Sequence, residues 1–451
     1  MLLIRASAAL LAGACLSSGT VAQTALPQQL FDPPVYPSGA LAFDRGTPAR
    51  RPVPSGTLVL SEAIRRAIAA NPRLTAAERD IGIATGRRIQ AGAYPNPELS
   101  FELDDAFGSG PYRDLNAAET TLQLSQVFEL AGKREARIAA GTAEVESARW
   151  QRLALRLEIA SETATAFLTV LSGQRRVRIY DTQIGALERI LPQLQRRIEA
   201  GASSPAEIAR AQTAADLVRA ERERARTAIA VARRELAAAM AIDNPEFGEV
   251  TGDLIRTGNP PPFTAILRSL DRNPQLVRWT AVRAQRDAEL LSARLKPIPD
   301  LRLSAGWRHY RETGDNAVRL GVAVALPVWD QNLGGITEAR EARAKTDAEY
   351  AAARTALMLT LGKAYETLIG ALRELEPLRN SAIPNVRRAV EGIESGYAQG
   401  RFTLLDILDV QNAATQTALR EQEVLMSFHI ALATIEALTG APVGLTLVRS
   451  K

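Results

Sequence analysis

The chain has 451 residues, 46% hydrophobic and 23% charged, with a net charge of +5. That length accommodates two or more domain-sized units, and so small a positive excess excludes the basic footprint of a nucleic-acid binder. One cysteine and two histidines exclude an internal disulfide and leave too few ligands for a Cys/His metal cage.

Residues 1–22 have the build of an export signal: Arg5, an apolar run from Ala6 to Leu16, and Thr20-Val21-Ala22 before Gln23 as a small-residue cleavage site. Leu11-Ala12-Gly13-Ala14-Cys15 also loosely resembles a lipidation box, so Cys15 is a second processing point. Either route exports the chain. No later apolar run reaches the roughly 18 residues of a transmembrane helix. Residues 23–59, rich in Pro and Gly, form an extended lead-in.

From there the chain is written twice. Tyr94-Pro95-Asn96-Pro97-Glu98-Leu99 lines up with Lys296-Pro297-Ile298-Pro299-Asp300-Leu301. Asn71-Pro72 lines up with Asn273-Pro274, Val127-Phe128-Glu129 with Val328-Trp329-Asp330, and Gly201, Glu207 and Gln212 with Gly400, Asp406 and Gln411. Ordered anchors at one offset of about 200 residues indicate a tandem repeat. The first unit covers 60–242, a linker 243–262, the second unit 263–440, and a tail 441–451.

Each unit has one plan. A helix runs from Leu60 to about Ala93, and from Phe263 to about Leu295, ended by the proline pairs. Two strands follow, with Leu99, Phe101, Leu103, then Leu122 and Leu124, alternating with polar residues; the second unit repeats this with Leu301, Leu303, then Leu320, Val322 and Val324. Long helices are predicted at about Arg134 to Ala200 and Gly335 to Gly400. Their heptad spacing is clear in Leu153, Leu157, Ala160, Ala164, Phe167 and Leu171. Gly201 and Gly400 stop them, and Pro192 and Pro384 predict local bends. Return helices span about Pro205 to Met240 and Leu404 to Thr439.

The first and last helices of a unit together match the long one, giving columns of ~100 Å. Such columns suit a ring closed into a tube. The apolar strand face can be buried in lipid if several copies close a barrel, three copies giving twelve strands. Two small sheets folded onto a helical core remain the alternative.

Catalytic chemistry is absent from the pattern. Two distant histidines without a nucleophile motif make no triad, and there is no phosphate-binding loop or other cofactor motif. His309, beside Trp307 and Tyr310, is expected at a strand end, and His429 packed on a heptad helix. Asp406 and Asp409 lie one turn apart just past Gly400. Two readings stand: charges that complement a helix N-terminus, or a functional acidic pair.

The segments LSEAIRRAIAANPRL, AGAYPNPELSFEL, SQVFELAGKREARI, LPVWDQNLGGITEAR and GRFTLLDILDVQNA together resemble the TolC-type outer-membrane efflux channels, with FELAGKREAR most like the heavy-metal cation branch. The resemblance covers nearly all of the mature chain. It implies a mainly α protein with a β-barrel portion. Tandem-duplicated helical hairpins would form a periplasmic α-barrel, and four strands per chain would join a trimeric twelve-stranded barrel in the outer membrane of a Gram-negative bacterium. The partners it implies are a homotrimer, a periplasmic adaptor (membrane fusion) protein, an inner-membrane pump of the resistance-nodulation-division type, and outer-membrane lipid. It places Asp406 and Asp409 in carboxylate rings at the periplasmic gate, where crowding favours some protonation near neutral pH. By position, Arg401 would hold the closed state. Gly201, Glu207, Gly400 and Thr403 would be the hairpin tips that dock the adaptor. Arg210 stands where Asp409 has its counterpart, so the two tips are not equivalent. The runner-up, a periplasmic coiled-coil adaptor, lacks the lipoyl-like and barrel modules such proteins need.

Overall fold

The computed structural model describes residues 56–440 together with 446–447. The signal segment, Cys15 and most of the lead-in and tail lie outside the described residues.

The helices expected from Leu60 and from Phe263 are each two helices. In the first repeat these are α1 (Leu60–Ala70) and α2 (Pro72–Ala91). Pro72 pushes Asn71 to extended geometry, φ −66° and ψ 121°, and the Asn71 side chain accepts from Arg73 N at 2.9 Å. The strands β1 (Glu98–Asp104) and β2 (Glu119–Phe128) follow, then α3 (Lys133–Glu199) and α4 (Pro205–Ala239). After β3 (Gly258–Asn259), the second repeat opens with α5 (Phe263–Leu270) and α6 (Pro274–Leu295), broken at Asn273, which accepts from Gln275 N at 2.7 Å. Then come β4 (Leu301–Tyr310), β5 (Asn316–Val324), α7 (Leu333–Pro377), a π-turn over Leu378–Ala382, α8 (Ile383–Ala398), α9 (Leu404–Thr439) and β6 (Thr446–Leu447).

The breaks change the column arithmetic. α2 and α4, 20 and 35 residues, fall short of the 67 of α3. The linker and α1 cover the difference: Ala63 and Ala67 of α1, with Phe247, Val250 and Leu254, pack on Phe167 and Leu171 of α3 in one core. In the second repeat Ile266 and Leu270 of α5 pack likewise with Leu361, Leu368 and Phe428.

Of the two expected bends, α3 runs unbroken through Pro192. At Pro384 the missing N–H leaves a carbonyl one turn back without its partner, and the backbone widens into the π-turn. Arg379 in that turn donates to the Ile255 carbonyl at 2.8 Å and so ties the linker to it.

α2 and α4 pack on one side of α3, α6 and α9 on the other, and α7 and α8 lie beyond α6 and α9. The seam between the repeats is polar at mid-height. Gln422 donates to the Ser172 carbonyl at 2.9 Å, Arg175 pairs with Glu421 at 2.7 Å, and Arg176 with Glu423 at 3.2 Å.

The two hairpins are not separate sheets. They join through β2 and β4 into one antiparallel sheet of order β1-β2-β4-β5, so neither folds back onto the helices as its own small sheet. Facing pairs include Leu99 with Leu124, Leu122 with Trp307, and Leu303 with Val322. β3 pairs with β6, and Leu58 forms a parallel bridge to Val250.

Candidate functional site

Both hairpin tips are stopped by a glycine in the left-handed region, Gly201 at φ 72° and Gly400 at φ 76°. Ala202 N donates to the Arg197 carbonyl at 2.7 Å, and Arg401 N to the Gly396 carbonyl at 2.8 Å, so the exposed last carbonyls are satisfied. The next helices start differently. Ser204 caps α4 by accepting from Ala206 N at 3.3 Å. Thr403 caps α9 in a reciprocal box: its hydroxyl accepts from Asp406 N at 3.3 Å, while the Asp406 carboxylate accepts from Thr403 N and from the Thr403 hydroxyl, both at 2.7 Å.

That box gives Asp406 a role at its own helix start. The Asp406 carboxylate is turned back onto its own helix start, and the Thr403 hydrogen bonds hold its pKa below the usual carboxylate value. Within one chain the shift is therefore opposite to the protonation expected from crowding. Asp409, one turn on, is exposed and has no hydrogen-bond or ion-pair partner among the described residues. The side chain of Arg401 is likewise exposed and unpaired among the described residues. At the other tip Glu207 is half-buried and Arg210 exposed.

The tips share a core that the sequence pattern did not reveal. Leu187, Ile190, Leu194 and Ala211 of the first hairpin pack with Tyr397, Leu404 and Ile407 of the second. Arg197 donates to the Tyr397 carbonyl at 3.1 Å and lies 4.7 Å from its ring centre. Burial raises the pKa of the Tyr397 hydroxyl, which has no hydrogen-bond partner among the described residues. Within the second tip, a Cβ on Gly396 would come within 2.3 Å of the Phe402 ring.

At the opposite end, all ten apolar strand residues predicted to share a face do so: Leu99, Phe101, Leu103, Leu122, Leu124, Leu301, Leu303, Leu320, Val322 and Val324. Trp307 and Val318 join them. The other face carries Arg302 paired with Glu98 at 2.7 Å, and Arg308 with Glu119 at 2.5 Å and the Thr121 hydroxyl at 2.8 Å. Burial is inverted relative to a water-soluble sheet: Leu320 is 77% exposed and Thr121 1%. His309 stacks on Trp307 and its Nδ1 lies 3.1 Å from Asn316 Oδ1, at the strand end as expected. His429 is half-buried against the linker, 2.9 Å from the Leu254 carbonyl, and desolvation lowers its pKa.

The elbow between sheet and helices uses the basic motif. Lys133 pairs with Asp300 at 2.8 Å, Arg137 with Glu129, and Arg134 donates to the Gly92 carbonyl at 2.7 Å while lying over the Tyr94 ring. No group of His, Cys, Asp and Glu able to hold a metal ion occurs among the described residues, and no described helix is long and apolar enough to cross a membrane.

Known proteins resemble this chain in sequence and in fold. The cobalt-zinc-cadmium resistance protein CzcC of Cupriavidus metallidurans is 28% identical over 386 residues, 86% of this chain and 91% of that protein. The outer membrane protein TolC of Escherichia coli is 22% identical, over 78% of this chain and 76% of its own. Among solved structures, that of CusC, described for its folding and transmembrane channel formation, superposes with a TM-score of 0.72 at 12% identity, covering 85% of this chain and 92% of that one. The model of the outer membrane efflux protein family matches residues 63–241 and again 265–441, and with most of its length so matched the chain belongs to that family.

Proposed function

We propose that three copies of this chain form an export duct that carries divalent metal cations through the periplasm and outer membrane. The observation that carries the reading is the sheet whose apolar face is exposed while its opposite face carries the Arg–Glu pairs. In lipid that face is buried without cost, and three four-stranded sheets close a barrel of twelve strands with no free edge. The helical columns support the same closure. Ile83 and Ile89 of α2 and Leu217 and Val231 of α4 are exposed on one outer column, and Leu359 of α7 on the other.

Asp409, seconded by Asp406, forms the acidic narrowing at the periplasmic end, and Arg401 reaches the neighbouring copy to hold it closed. The tips at Gly201, Glu207, Gly400 and Thr403 receive a periplasmic adaptor, which couples the duct to an inner-membrane pump of the resistance-nodulation-division type. The metal cargo rests on the likeness to the cobalt-zinc-cadmium resistance protein and on the acidic tip.

Expressed in a Gram-negative host, the mature protein is expected in the outer-membrane fraction as a detergent-resistant trimer. With its adaptor and pump it restores growth in zinc, cobalt or cadmium. A soluble periplasmic monomer overturns the duct. A trimer that restores resistance only to organic compounds overturns the cargo.

A further inference from the structure

The exposed apolar face of the sheet is not flat. Leu124 faces Ala305 across the β2–β4 seam, and Ala305 faces Leu320 on the other side. A single methyl thus stands between two leucines, and the row sinks there. A depression of about 480 Å³ opens around it, walled by Leu124, Phe128, Leu303, Leu320 and Val322. That volume falls within the roughly 300–1,000 Å³ of small-molecule sites. The depression is centred on β4, an interior strand, in the half of the sheet nearest the helices.

A polar side chain intrudes on the apolar face at the helix end of this depression. Gln126, facing Leu303, donates to the Pro95 carbonyl at 2.8 Å and to the Val127 carbonyl at 3.0 Å. Beside Pro95 stands Tyr94, 69% exposed, with the Arg134 guanidinium 4.3 Å from its ring centre. Arg134 Nε donates to the Gly92 carbonyl at 2.7 Å, while Glu135 comes only to 4.0 Å, beyond hydrogen-bond reach. The terminal N–H groups of Arg134 are therefore open to another anion.

We infer that each chain holds one glycerophospholipid of the periplasmic leaflet here, with an acyl chain in the depression around Ala305, the glycerol esters beside Gln126 and the phosphate on Arg134. This site rests on the reading that the apolar face meets lipid, and adds to it a lipid held in place. The order of the protein groups is the order of the lipid's own parts. From the row of Ala305 to that of Gln126 is a step of two residues, about 7 Å, and the tyrosine and arginine lie beyond it. A tyrosine with one wet end suits the membrane–water boundary, which is the level of the phosphate. A free anion would use Arg134 and leave the depression empty. Lipopolysaccharide belongs to the other leaflet, at the end of the sheet that carries Tyr310 and Asn316.

The test is native mass spectrometry with phosphate analysis of the trimer, extracted from outer membranes and washed in a mild detergent. A305F fills the depression with a side chain that still suits lipid, R134Q removes the charge, and V318F adds the same bulk on the same face outside the depression. Wild type and V318F are expected to retain about one phospholipid per chain, and A305F and R134Q at least about fivefold less, since each loses one end of the site. Dioleoyl phosphatidylglycerol added to stripped wild-type trimer should restore the bound mass. A305F points outward and leaves the elbow intact, so it decides the matter even where R134Q disturbs assembly. Equal phospholipid in all four trimers, a wild-type trimer that comes off bare, or lipopolysaccharide in place of phospholipid overturns the site while leaving the duct standing. A chain that never reaches the outer membrane overturns the lipid-facing sheet itself.

Discussion

Asp406 and Asp409 share a helix face, yet their carboxylates are held differently. Asp406 is engaged by Thr403 and Asp409 by nothing among the described residues. On the gate proposed above, Asp409→Ala is expected to weaken block of the pore by divalent cations in planar bilayers by roughly tenfold, since a trimer would lose three such charges at once. Asp406→Ala weakens block less and loosens the tip, because it also removes half of the capping box. Equal loss of block in the two variants would refute this division. The pH dependence follows from the sign of the shift. Asp406 has a depressed pKa in the folded chain, so its contribution to tip stability is complete above the unfolded carboxylate value and is lost as pH falls through the depressed one. Proteolytic nicking at the tip should stay slow through neutral and mildly acidic pH and rise only below the usual carboxylate range. The Thr403-x-x-Asp406 spacing of a capping box was present in the sequence. The contact of Arg197 with Tyr397 was not legible, because it joins residues about 200 positions apart and has no periodic signature.

At the scale of elements, the sheet was the most legible part and the helix ends the least. Alternation with period two fixes which side chains share a face however the strands are later joined, so the ten apolar residues could be assigned before any pairing was known. Which strands pair is another matter: nothing in either hairpin announces that β2 meets β4. The breaks at Asn71 and Asn273 did have a local signal. Asn before Pro is a helix N-cap followed by proline at the first helical position. The apolar face yields a sharp test. Leu320→Arg should abolish outer-membrane insertion, at about 2–4 kcal/mol for an arginine near the bilayer midplane in each of three copies. Ser304→Arg, on the opposite face, should insert like the native chain. Insertion of both variants at native levels would show that this face does not meet lipid.

For the whole molecule, the order of helical columns leaves α2 with α4 at one edge and α7 with α8 at the other. What these edges lack is what the seam between the repeats supplies inside the chain. A ring built this way counts half-chains rather than chains. The link between the halves then contributes proximity and strict alternation more than contact. Severing the chain in the exposed stretch at Gly252 and Asp253 should leave two fragments that, co-expressed, still assemble into a ring of native size on gels and by light scattering. Failure to assemble would mean the covalent link is itself structural. Fusion of the halves has a further effect, on what evolution can vary. In a ring of six identical units every tip would carry the same residues, and a charge favourable at the pore would be repeated wherever the wall needs another. Joining two unlike halves allows Asp406 and Asp409 at one tip and Glu207 and Arg210 at the other. The two tips can then diverge within a single gene product.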